Sequence, residues 1–417
     1  MNQKHHSIQF FTFSLRKNIF SILFVLFTIC LVLFSRENLS AAKSGLMLWA
    51  NNVVPALFPF FIATELLTYT NLIPFLGKLL KRWMRPIFNV PGEGSFALLM
   101  GIISGYPIGA KIVTKFREDG TCTKEECERL LAFTNNSGPL FIIGTVGISL
   151  FADTTLGILL LFTHILACLT TGFLFRFWKK NDFTYLKMEK STISKTLPQK
   201  SVSLSNLGEV ISNSITSSIS TILMIGGFIV LFSVILSVLT QSHVIHLLGS
   251  FISPIFNFFH IDPSFADPFI NGIFELTNGV KQVASIPCKF LSVNIVLTSF
   301  LLGFGGFSVL LQVFSIISKT DLSIFPYFIG KLLQGLFAAL YTYLLYTNIP
   351  FINLDLAQSS SIFFSPTILF YLFIGVVIIT LFIRKVVSQT HRPRKLNLVA
   401  SEKSNDSSYE IKKKKSK

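Results

Sequence analysis

The sequence predicts an all-α polytopic membrane protein made of two inverted-topology repeats, each with a re-entrant helical hairpin and a broken transmembrane helix. Three observations carry this expectation. The chain has 417 residues, is 51% apolar and 13% charged, and has a mean hydropathy of +0.63, far more apolar than a soluble core of that length requires. The apolar runs Asn18–Phe34, Gly45–Tyr69, Thr154–Phe177, Ser218–Thr240, Leu322–Tyr346 and Ile362–Ile383 suit the span of about 20 residues that crosses hydrocarbon as a helix. Between them lie apolar segments interrupted by glycine, proline and small polar residues, and these form two pairs.

In chain order, residues 1–44 hold a first transmembrane helix. Arg16 and Lys17 before it and Ser40-Ala41-Ala42 after it resemble a signal sequence, but the apolar stretch exceeds the usual 7 to 15 residues, so an uncleaved helix is expected. Residues 45–177 form the first membrane repeat and 178–213 a basic linker. Residues 214–347 form the second repeat, 348–385 a last transmembrane helix and 386–417 a basic tail.

Each repeat contains two interrupted segments. Phe96–Thr114 has Ser104-Gly105-Tyr106-Pro107 at its centre, where proline removes a donor and glycine favours a turn, so a hairpin entering and leaving by one face is expected. Leu130–Phe151 contains Thr134-Asn135-Asn136-Ser137-Gly138-Pro139, which interrupts a span and frees backbone groups that need partners. Ala266–Ser285 carries Asn271, Gly272, Glu275, Thr277, Asn278 and Gly279 as a second hairpin. Phe290–Ser315 carries Gly303-Phe304-Gly305-Gly306-Phe307-Ser308 as a second interrupted span.

The two halves match at an offset of about 170 residues, a degenerate but ordered repeat of the kind transporters carry. Arg85-Pro86-Ile87-Phe88-Asn89 corresponds to Ser253-Pro254-Ile255-Phe256-Asn257, and Gly101 with Lys111 to Gly272 with Lys281. Three crossings plus a hairpin in each unit make the second enter from the opposite face. Loop charge agrees: residues 72–130 carry nine Lys/Arg, 241–300 only Lys281 and Lys289, and 348–361 none, which puts both termini in the cytoplasm. Eight spans and two hairpins result. The formal charge of +16 sits in the linker and tail, where anionic lipid explains it better than nucleic acid.

Inverted repeats with discontinuous helices place a binding site near the bilayer midplane. The candidate substrate-binding residues are Ser104, Gly105, Tyr106, Asn135, Asn136, Ser137, Glu275, Thr277, Asn278, Gly305, Gly306 and Ser308. Glu275 is an ionisable group inside a hairpin, with proton coupling, cation binding or substrate contact as its roles; the plainer reading is that it pairs with Lys281 or another polar group to hold the hairpin. The polar breaks offer hydroxyls, amides and freed N–H groups suited to a small anionic substrate. Lys111 and Lys281 are expected to snorkel, Glu65 to be solvated at the interface, and His164 to bond helix to helix. Five scattered cysteines without a CxxC pair indicate neither a disulfide framework nor a metal site. Gly92-Glu93-Gly94 and Gly303-Phe304-Gly305-Gly306 match neither a Walker A nor a dinucleotide fingerprint, so no enzyme and no cofactor is expected. Coupling to H+ or Na+ and homo-oligomer formation are left open.

Taken together, Gly101 to Lys111, Phe133 to Pro139, Gly272 to Thr277 and Gly303 to Ser308 resemble the YlbJ-type sporulation integral membrane proteins of endospore-forming bacteria. Those proteins carry the nucleoside-recognition or Gate domain, organised like concentrative nucleoside transporters. The resemblance implies movement of dipicolinic acid from the mother cell across the outer forespore membrane. Its alternatives are a nucleoside-type transporter and a sporulation assembly or signalling protein without transport. The basic linker and tail are not explained by it.

Overall fold

The computed structural model describes residues 19–70, 80–179, 206–287 and 291–348. The described chain is helical, and its first helix α1 (Ile19–Leu33) bends by 97° into the next. Asn38, 5% exposed, braces this corner by donating from Nδ2 to the Cys30 carbonyl at 3.2 Å, which also accepts from the Phe34 nitrogen at 3.0 Å. Phe20, Phe24 and Val25 of α1 are exposed, as expected of a helix surrounded by lipid.

The expected span Gly45–Tyr69 starts earlier, as α2 (Ser35–Leu48), and continues through a π-helical turn, Trp49–Val53, into α3 (Val54–Thr68). The turn sits where Pro55 removes a backbone donor. It also turns the Trp49 indole toward the long helix α9 (Leu207–Gln241), where Nε1 donates to the Ile222 carbonyl at 3.0 Å.

Next come α4 (Gly94–Ile103) and α5 (Ile108–Glu118), joined by Ser104–Pro107 as a helical hairpin. Then α6 (Lys124–Thr134) and α7 (Leu140–Leu150) flank the break at 135–139, and α8 (Thr154–Phe175) follows. Thr123 and Glu126 form a reciprocal cap that starts α6, and Asp153 caps α8, so sequence signals fix these ends.

The second half also holds a helical pair and an interrupted helix. The helix α9 begins inside the stretch expected as linker. In its serine-rich start Ser218 Oγ bonds back to the Ser214 carbonyl at 2.7 Å, which gives that buried hydroxyl a partner within its own helix. After it come α10 (Val244–Phe258), α11 (Ala266–Phe274) and α12 (Leu276–Ser285). The last two turn about Glu275 and run antiparallel, with Asn271 donating to Gln282 across the limbs at 2.7 Å. α13 (Leu291–Phe304) and α14 (Gly306–Ile317) flank the second break, and α15 (Phe325–Asn348) closes the described chain.

All four expected interruptions therefore fall where a helix ends. Among the described residues four helices or helix pairs are long and apolar enough to cross a membrane, namely α8, α9, α13 with α14, and α15. The bent pair at Ile19–Val53 makes a fifth. The expected span Ile362–Ile383, the tail and most of the linker lie outside the described residues.

Among the described residues two large apolar clusters fill the interior, beside a small one of Leu236, Ile245 and Ile270. One gathers Phe141, Leu160, Ile225, Leu276 and Leu301, the other Phe88, Ala97, Val113, Leu131 and Tyr327, and Tyr106 packs against both.

Candidate functional site

The two breaks meet. Ser137 Oγ in the first donates to the carbonyl of Leu302 just before the second, at 3.3 Å. Each break also receives the turn of its own hairpin. On the first side, a Cβ at Gly101 or Gly109 would collide with the Thr134 carbonyl, and one at Gly105, whose φ is +78°, would lie 2.7 Å from the Gly138 nitrogen. On the second, a Cβ at Gly306 would come within 3.2 Å of both the Gly272 carbonyl and the Leu276 nitrogen. Two interrupted helices and two hairpin turns thus surround one junction.

The first break is held by side chains. Asn135 leaves the helix with φ −100° and ψ 96° and donates from Nδ2 to the Tyr327 hydroxyl at 2.9 Å. Asn136 Nδ2 donates to the Phe133 carbonyl at 2.9 Å, and its Oδ1 accepts from Gln334 Nε2 at 2.8 Å. The freed carbonyl of Asn135 accepts from Lys331 Nζ at 3.0 Å, and the same ammonium donates to Gln334 Oε1 at 2.8 Å. His164 on α8 approaches Gln334 Nε2 at 3.4 Å, the helix-to-helix contact expected of it. These bonds supply the partners that a broken helix needs in the absence of water.

Lys331, Gln334 and Tyr327 were not among the expected site residues. A signal existed: Lys331 is the sole charge in the apolar run Leu322–Tyr346, and Gln334 follows it by three positions on the same helix face. Lys331 is 2% exposed. Among the described residues no carboxylate pairs with it.

The second break is a backbone device. Gly305 and Gly306 have φ of +84° and +81°, the left-handed region open to glycine at little cost. Glu275 sits at the turn of the second hairpin, 2% exposed, and its two carboxylate oxygens accept from the Thr277 and Asn278 backbone nitrogens at 3.0 and 2.7 Å. It is the cap of α12, so the hairpin is held by backbone N–H groups, while Lys281 is exposed. Asn278 Nδ2 reaches Ser233 Oγ on α9 at 3.1 Å. Ser104, Thr277 and Ser308 are buried. The junction therefore gathers Ser104 to Tyr106, Asn135 to Ser137 and the two glycines, with Glu275 next to Gly306 through Leu276.

Lys111 does not simply extend to an interface: from α5 it donates to Thr221 Oγ1 on α9 at 2.9 Å. The two hairpins thus touch α9 at Thr221 and Ser233, points about 18 Å apart at 1.5 Å per residue.

Comparison with known proteins adds family to geometry. The Gate family model, described as nucleoside recognition, matches residues 50–176, a stretch from the π turn to the end of α8. The chain is also 38% identical over 331 residues to the sporulation integral membrane protein YlbJ of Bacillus subtilis (strain 168), covering 78% of this chain and 81% of that protein. The chain belongs to the YlbJ family. As a YlbJ-family member it is an integral membrane protein related to sporulation, and the matched segment contains the first hairpin and the first break in full.

Proposed function

We propose that the protein is a transporter that moves dipicolinic acid from the mother cell across the outer forespore membrane during sporulation. The observation that carries this reading is the convergence of two interrupted helices and two hairpin turns on one polar junction inside an apolar helical body. A continuous bundle with only a structural role has no need to break helices there and then satisfy the freed groups with buried amides and a lysine. In this reading residues 45–177 and 214–347 are inverted units, the hairpins re-enter from opposite faces, and both termini, the linker and the tail are cytoplasmic. The separate contacts of the hairpins along α9 and the basic loops of the first half support that arrangement. The candidate substrate contacts are Ser104 to Tyr106, Asn135 to Ser137, Glu275, Thr277, Asn278, Gly305, Gly306 and Ser308.

The test is the dipicolinate content of mother cell and forespore in a spore-forming host lacking the protein. The expected result is dipicolinate that is synthesised and retained in the mother cell. A forespore that fills normally would count against the assignment. The description of the Gate family favours one second reading, nucleoside transport, which predicts that nucleosides and not dipicolinate compete for uptake into vesicles holding the protein.

A further inference from the structure

A buried ammonium is costly unless something offsets its charge. Lys331 has neutral acceptors only, the Asn135 carbonyl and Gln334 Oε1, which occupy two of its three N–H donors. It lies between the breaks: its Cε is 3.9 Å from where a Cβ would stand on Gly305, the residue that opens α14. The N-terminal end of this 12-residue helix carries partial positive charge and so cannot be what stabilises the lysine. Two buried hydroxyls at the same junction, Ser104 Oγ and Thr134 Oγ1, have no hydrogen-bond partner among the described residues. The Glu275 carboxylate near this junction is engaged by the Thr277 and Asn278 nitrogens, and among the described residues no carboxylate pairs with Lys331, so the positive charge and spare donors gathered here call for an anion from outside the chain.

We propose that Lys331 is the counter-charge for a carboxylate of the carried molecule. This rests on the transporter reading above. A carboxylate entering the junction takes the remaining ammonium donor, and the hydroxyls of Ser104 and Thr134 lie at the same junction to donate to its oxygens. A neutral nucleoside leaves the lysine uncompensated.

The test is equilibrium binding to the full-length protein in lipid nanodiscs. The probes are pyridine-2,6-dicarboxylate, pyridine-2-carboxylate, the neutral pyridine-2,6-dicarboxamide and uridine, measured on wild type, Lys331→Arg and Lys331→Met. Both acids are expected to bind wild type about 10- to 100-fold more tightly than the diamide, the worth of one charge-assisted hydrogen bond. Lys331→Met should remove that preference and Lys331→Arg should keep most of it. A diamide that binds wild type as well as the diacid overturns the proposal, and this comparison needs no variant to fold. Unchanged acid affinity in folded Lys331→Met overturns it too, while leaving dipicolinate transport intact. Wild type that binds uridine and no acid also overturns it. Wild type that binds other acids through Lys331 but not the pyridine diacid upholds it and removes the dipicolinate assignment instead.

Discussion

The break in the first half and the break in the second solve one problem by different means. Between α6 and α7 the chain uses five residues, 135–139, and satisfies the opened backbone with side chains: Asn136 on the Phe133 carbonyl, Lys331 on the Asn135 carbonyl. Between α13 and α14 it uses one glycine, Gly305, followed by Gly306 at the start of α14, both in a left-handed conformation, and the Leu302 carbonyl is met by Ser137 from the first half. The first break thus depends on hydrogen bonds brought by α15, and the second on the absence of side chains. Matched substitutions should separate the two mechanisms.

The largest difference is expected between Gly306→Ala and Gly138→Ala. At Gly306 a Cβ must accept φ +81° and press on two backbone atoms at 3.2 Å. Left-handed strain and overpacking together should cost about 3 kcal/mol. At Gly138 the same atom meets its nearest neighbour, the Ser104 carbonyl, at 3.4 Å, an ordinary contact, and the effect should stay within about 1 kcal/mol. Thermal midpoints of the two purified variants in detergent check this, and equal losses would mean that the breaks are not held differently.

Gln334→Leu comes next. It removes the donor to Asn136 Oδ1 and one acceptor of Lys331 at once, leaving buried polar groups unmatched at about 2 kcal/mol in total. The same change should leave the second break intact, so a cysteine placed at Ser308, 2% exposed, should stay protected from a thiol reagent. Its labelling would show that the two breaks open together.

This asymmetry also marks what could be read from the sequence. Proline, glycine and asparagine clusters located all four interruptions, because each acts through local backbone chemistry. The partners were less visible. Gln334 and Tyr327 gain their roles only when α15 packs across the first break, a contact between residues nearly 200 positions apart, as in the Asn135 to Tyr327 bond. Lys331 was visible as a lone charge in an apolar run, but its burial against neutral groups was not. Glu275 was legible as important. Its use as a cap depended on the chain turning at that one residue, which neither composition nor periodicity specifies.

A smaller effect is expected at Glu275, the cap that the second hairpin has and the N-terminus of α7 lacks, since no side chain caps α7 at Pro139. Glu275→Gln keeps one acceptor oxygen and loses the charge-assisted pair, so stability should fall by about 1 kcal/mol. Hydrogen exchange at the Thr277 and Asn278 amides should rise, while the α6 amides stay protected. Unchanged exchange would mean that the cap does not hold this hairpin.

The smallest effect tests a link between the halves rather than a difference. Arg117 at the end of the first hairpin makes a two-bond contact with Asp321 in the loop after α14, at 2.7 and 2.9 Å. The guanidinium holds the Asp321 carboxyl below its ordinary range, against a smaller opposing effect of burial. Because the folded value is the depressed one, the contact stabilises fully above the unfolded value near pH 3.9 and its contribution is lost as the pH falls through the folded value. Both partners are substantially exposed, with half of the Asp321 side chain in solvent, so screening limits the contribution to about 0.5 kcal/mol. Arg117→Ala should therefore lower the thermal midpoint slightly at pH 7, less in high salt, and the gap from wild type should begin to narrow near about pH 4 and close as the pH falls through the lower folded value. A gap that persists in acid would assign the loss to packing of the arginine stem against its neighbours, and the two halves would then be joined at that face by contact rather than by charge.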